Sequence, residues 1–109
     1  MIKVAMPLFE ADLAPRFCFA RELLVATIDD GRVVSRERLI VESLTWPERI
    51  KRLESLGVTV VLASGFDQCQ IPMATARGIR VLAGLRGNAE AVLATYCTGE
   101  LEEGRAPAE

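Results

Sequence analysis

The alternation of apolar and polar positions divides this chain into short strands and helices. Residues 2–7 form an almost unbroken apolar run, the pattern of a strand buried on both faces. Residues 8–21 hold Pro15, clusters of charge and no clean period, which predicts a long loop pinned by Phe17 and Phe19. Residues 22–28 and 33–41 flank Asp29-Asp30-Gly31-Arg32, where Asp-Gly supplies the positive φ angles of a tight hairpin. Arg36, Glu37 and Arg38 in the second arm suit a sheet edge, because charge there discourages pairing with another molecule's strand.

Thr45-Trp46-Pro47-Glu48 has the form of a capping box: the Thr45 hydroxyl can accept from the Glu48 amide while the Glu48 carboxylate reaches back. Pro47 is harmless in a first turn. Ile50, Leu53 and Leu56 then recur at helical spacing, and Gly57 suits the left-handed residue that ends such a helix. The apolar, β-branched run at 58–63 predicts an interior parallel strand. Pro72 sets the start of the next helix near Gln70 or Ile71, with Gly78 as its stop and Cys69 at its entry. Residues 79–83 form a last strand. Asn88 then caps a helix whose Ala89, Val92, Leu93, Tyr96 and Cys97 make one apolar stripe, closed by Gly99.

The order β-β-β-α-β-α-β-α predicts one α/β domain over residues 1–101, with a short acidic tail at 102–109 expected to fray. Its sheet is mixed and five-stranded, in the order 3-2-1-4-5, with strand two antiparallel and helices on both faces. Strands one, four and five are parallel, so the loops 8–20, 64–69 and 84–88 open at one carboxyl edge, where a ligand is expected.

Composition narrows the function classes. The 109 residues are half apolar, enough for one core. Thirteen basic and fifteen acidic residues give a formal charge of −2 without a long basic run, so no nucleic-acid partner is expected. No apolar stretch reaches the roughly 20 residues that span a bilayer, and the chain begins directly on a strand. No membrane association and a cytoplasmic location follow as expectations. The three cysteines are an odd, widely spaced set, which predicts reduced thiols. The absence of histidine removes the commonest general base and metal ligand, so the chain is not expected to be an enzyme.

Two of the converging loops carry a thiol. Cys18 lies in Arg16-Phe17-Cys18-Phe19, and Cys69 sits at a helix entry. Thiolate ligates soft metals, so these two cysteines can bridge a metal or cap a metal-sulfur cluster. Arg16, Arg86 and the loop amides around Ser64, Gly65, Gly87 and Asn88 would then face its negative charge. Packing accounts for Cys18 and Cys69 as readily as ligation does, since free cysteine is among the most buried residues. Arg16 and Arg86 read equally as solvated charges. Cys97, on its apolar stripe, is read as inert. Asp12 and Asp67 are read as capping or turn residues rather than an acid-base pair.

Gly78-Ile79-Arg80-Val81, the run Gly84-Leu85-Arg86-Gly87-Asn88-Ala89-Glu90-Ala91-Val92-Leu93 continuing through Tyr96 to Gly99-Glu100-Leu101, and Leu56-Gly57-Val58 followed by Ser64-Gly65 form a set of segments. Together they resemble the dinitrogenase iron-molybdenum-cofactor-binding family. The resemblance extends over most of the chain. It implies a ribonuclease-H-like motif and a small protein that carries or helps assemble an iron-molybdenum or related metal-sulfur cluster. Cofactor-assembly or acceptor proteins would be its partners. Where family members often show His-Phe-Gly-Arg-Ala in the first loop, this chain has Arg16-Phe17-Cys18-Phe19-Ala20. Cys18 therefore stands in the region of the missing histidine, and Cys18 and Cys69 are the expected metal ligands. An interaction or regulatory module of the same fold without cluster binding is the alternative expectation.

Overall fold

The computed structural model describes residues 1–99, so the acidic stretch expected at 102–109 lies outside the described residues. The strands are β1 (Ile2–Phe9), β2 (Asp12–Leu13), β3 (Glu22–Asp29) and β4 (Arg32–Ile40). Helix α1 (Trp46–Ser55), strand β5 (Val60–Leu62), helix α2 (Ile71–Ala76), strand β6 (Arg80–Leu82) and helix α3 (Ala89–Cys97) follow. The sheet order is β4-β3-β1-β5-β6, with β2 paired to β1. Setting β2 aside, this is the expected 3-2-1-4-5 order. The pairings β1–β5 and β5–β6 are parallel, and β1–β3 and β3–β4 are antiparallel.

The sixth strand departs from expectation. Leu8 pairs with Leu13 and Phe9 with Asp12, so the supposed long loop opens as a tight hairpin. The two residues between, Glu10 and Ala11, lack an Asn-Gly signature, and Glu10 is driven to φ 57° to make the turn. At the predicted hairpin, Asp30 and Gly31 take φ of 54° and 73°, as a mirror-image turn requires.

Alternation along the central strands gives the sheet two apolar faces. Val4, Met6, Leu24, Ala26, Leu62 and Leu82 face Ala89, Val92 and Leu93 of α3. Ala5, Leu23, Val25 and Val61 face Ile50 and Leu53 of α1 and Ala74 of α2. The helices thus lie on both faces. The α1 capping box forms as predicted, with the Thr45 amide donating to Glu48 Oε1 at 2.8 Å and the Glu48 amide donating to Thr45 Oγ1 at 3.3 Å. Gly57, at φ 83°, ends it. No helix among the described residues is long and apolar enough to cross a membrane.

Candidate functional site

Parallel β1, β5 and β6 open at the same edge, and backbone hydrogen bonds knit the segments that follow them. The Phe17 amide donates to the Gly65 carbonyl at 2.9 Å, and the Gly84 amide to the Ser64 carbonyl at 2.9 Å. The Leu13 amide donates to the Gly87 carbonyl at 3.0 Å, and the Ala89 amide to the Ala11 carbonyl at 2.9 Å. Side chains reinforce the first junction: Arg16 meets Asp67 at 3.5 Å, and the rings of Phe17 and Phe66 stack with centroids 4.8 Å apart. The three expected loops therefore form one connected edge.

Each thiol of interest sits on a short 3₁₀ turn. Phe17–Phe19 carries Cys18, which is half-buried, and Gln68–Gln70 carries Cys69, which is exposed. Phe17, buried in the core beneath the first turn, anchors it. Asp67 anchors the second by accepting from the Gln70 side chain at 3.3 Å while paired with Arg16. Asp67 thus ties the second turn to the first loop. Gln70 is 3% exposed, and its Oε1 is buried without a hydrogen-bond partner among the described residues.

The other predicted residues divide between contact and support. Ser64 and Gly65 contribute backbone carbonyls to the loop junctions, and Gly65 packs so closely on Pro15 that no side chain fits there. Asn88 caps α3 by accepting from the Ala91 amide at 3.1 Å. With the Ala89 amide bound to Ala11, two of the amides at the start of α3 already have protein partners. Arg86 is exposed on the third loop beside Gly87. Cys97, partly buried, packs against the α3-side core. Among the described residues, no group of three or more Asp, Glu or Cys side chains is arranged to hold a metal ion.

Two features escaped the sequence reading. Arg49 of α1 is 3% exposed, donating from Nη1 to the Phe17 carbonyl at 2.8 Å and from Nε to the Leu44 carbonyl at 3.1 Å. Burial pushes its pKa down, and the neighbouring Cys18 opposes that shift. Arg49 falls at helical spacing with Trp46 and Leu53, but that spacing alone does not mark a charged residue as buried. The second feature is a cavity of about 750 Å³ on the outer side of the first loop, with Phe9, Pro15, Phe19, Arg21 and Glu22 among its walls. Arg16 alone of the predicted site residues lines it.

No protein-family model and no curated protein matches the sequence. Several solved structures do share its shape. PH0822 superposes with a TM-score of 0.87 at 21% identity, over 94% of this chain and 95% of that one. A Methanocaldococcus jannaschii protein, MJ0327, provisionally described as a dinitrogenase, gives 0.78 at 17% identity over 97% of both chains. The orange protein of Desulfovibrio gigas, solved in its apo form, gives 0.77 at 18% identity, over 100% of this chain and 98% of that one. At such identities the likeness establishes a common fold: a mixed, open sheet flanked by helices, spanning nearly the whole of each partner.

Proposed function

We propose that this chain is a noncatalytic carrier that receives a preassembled, anionic metal-sulfur cluster, of iron-molybdenum or related type, and passes it to an acceptor protein. The observation that carries this reading is the placement of two unbridged thiols, Cys18 half-buried and Cys69 exposed. Cys18 and Cys69 each lie two positions beyond a residue of the Arg16–Asp67 contact, on turns held by that contact and by the Phe17–Gly65 hydrogen bond. Two thiols without imidazole are too few to close a tetrahedral metal site. The cargo must therefore arrive with its own sulfide, and a sparse ligand set favours rapid release. The absence of histidine supports a noncatalytic role. The shared fold of a protein provisionally described as a dinitrogenase, and of the orange protein in its apo form, supports handling of a cofactor.

The test is anaerobic incubation with a preformed, soluble anionic iron-molybdenum-sulfur cluster, followed by desalting and metal and acid-labile sulfide analysis. Uptake is expected in the natural protein and its loss in a Cys18→Ser/Cys69→Ser double variant. Failure of the natural protein to take up metal, or equal uptake by the double variant, overturns the reading.

A second reading, an interaction module without cargo, draws support from Phe9 and Phe19, exposed at 63% and 75% on the cavity walls. A protein partner held equally by the natural chain and the double serine variant, with no metal bound to either, would favour it.

A further inference from the structure

The cavity on the outer side of the first loop is walled by three passes of one stretch of chain. Residues 8–10 come from the end of β1 and its turn, 14–16 from the stretch after β2, and 19–22 from the end of the 3₁₀ turn and the start of β3. The Ala14 amide donates to the Pro7 carbonyl at 2.8 Å, and the Val41 amide to the Arg21 carbonyl at 2.9 Å, so backbone bonds tie two of these passes to the sheet. Leu8, Ala14 and Ala20 are the buried part of the lining. At about 750 Å³ the cavity has the size of a small-molecule site, commonly about 300–1,000 Å³.

The charges on its walls are matched with one exception. Arg16 meets Asp67 at 3.5 Å, Arg21 meets Glu42 at 3.2 Å, and Glu22 meets Arg38 at 3.1 Å. Glu10 takes part in no ion pair among the described residues. It also holds φ 57°, a backbone state that glycine or asparagine adopts more readily, so the turn itself does not call for a glutamate. Phe9 and Phe19 line the same cavity with exposed rings, and neither stacks on another ring among the described residues. An open carboxylate and two uncommitted aromatic faces attract one kind of guest, drawn by charge to the first and by the ring quadrupole to the others. An anion would have to displace Asp67 or Glu42 from the arginines, and a bare metal ion would find a single free carboxylate.

We infer that this cavity binds a small organic cation, an alkylammonium on an apolar or aromatic stem, with Glu10 as its counter-charge and Phe9 and Phe19 as its aromatic walls. Neither Cys18 nor Cys69 lines the cavity, so the inference stands whether or not the chain carries a cluster.

The experiment titrates the whole protein with three probes of one shape, phenethylammonium, neutral phenethyl alcohol and anionic phenylacetate, and follows backbone amides by NMR. Phenethylammonium at millimolar concentration is expected to shift the amides of residues 9, 10 and 19–21. It should bind at least about fivefold more tightly than the alcohol, the effect of one unit charge about 4 Å away in water. Phenylacetate should bind no better than the alcohol. Glu10→Gln is expected to abolish the preference for the cation while leaving affinity for the alcohol unchanged. Glu10→Asn, which suits the left-handed turn and also lacks the charge, should do the same, so a disturbed turn cannot account for the loss. Phe19→Ala should weaken the cation and the alcohol together. Equal affinities for cation and alcohol, a preference that survives both Glu10 variants, or no shift at these amides with any probe overturns the inference.

Discussion

A β-carbon built on Gly65 would stand 2.3 Å from the carbonyl oxygen of Pro15, so the loops after β1 and β5 meet backbone against backbone. The close approach lies beside the Phe17–Gly65 hydrogen bond and beneath the Arg16–Asp67 pair. Gly65→Ala must push the loops apart. It is expected to cost about 1–3 kcal/mol, as overpacking does. For a chain of this size each kcal/mol lowers Tm by about 4–8 °C. Thermal unfolding of the apo protein checks the stability, and metal analysis should show reduced uptake as the thiol-bearing turns separate. An unaltered Tm would mean that the junction yields without strain.

Asn88 is expected to act on stability and not on cargo. Its side chain is spent on the Ala91 amide, so Asn88→Ala removes a cap worth about 1 kcal/mol. Urea unfolding should register that loss, while metal bound per folded molecule stays constant. A fall in uptake at unchanged stability would instead make Asn88 a contact to the cargo.

Cys97 provides the control thiol. It packs against the α3-side core, so Cys97→Ser should leave cluster uptake at the natural level while destabilising the chain slightly. Loss of uptake in this variant, measured beside the Cys18→Ser/Cys69→Ser protein, would relocate the site to the far end of α3.

Stability should fall on the acid side. Arg36 grips Glu90 through two hydrogen bonds of 2.9 and 2.7 Å and holds its carboxyl below the usual glutamate range. The Thr45 amide, with the Thr45 hydroxyl adding to its effect, likewise holds Glu48 down. A depressed folded-state pKa gives stability that is present above the unfolded value of about 4.3 and is lost as pH falls through the lower folded value. Since the Arg36–Glu90 pair is half-exposed, Glu90→Gln should cost under about 1 kcal/mol at pH 7. Urea midpoints of the two proteins should converge once the pH lies below the lowered folded value, and a gap that persists in strong acid would place the effect in packing rather than charge.

The architecture was legible because its signals were local and redundant. The Asp30-Gly31 turn, the Thr45–Glu48 box, Gly57 and Asn88 each mark a boundary by chemistry that the backbone itself demands. Strand β2 was not legible, since a two-residue strand depends on its partner in β1 and has no period of its own. The loop edge was legible from topology, but its cohesion was not: the Gly65–Pro15 approach joins segments distant in sequence. Arg49 was overlooked for a physical reason as well. A charged residue on a helix is ordinarily solvated, and nothing in the helical spacing of Ile50 and Leu53 marks Arg49 as buried.

The mixed sheet also orders the events of folding. The β3–β4 hairpin closes over a two-residue turn, whereas the β1–β5 pairing joins Val4 to Val60 across the intervening chain and must overcome far more loop entropy. The ribbon should therefore assemble ahead of the parallel half, a sequence that pulse-labelling of amide protons during refolding would resolve. Both thiol-bearing turns hang from strands that meet only in the later step, so Cys18 and Cys69 reach their common edge only once the parallel half has formed.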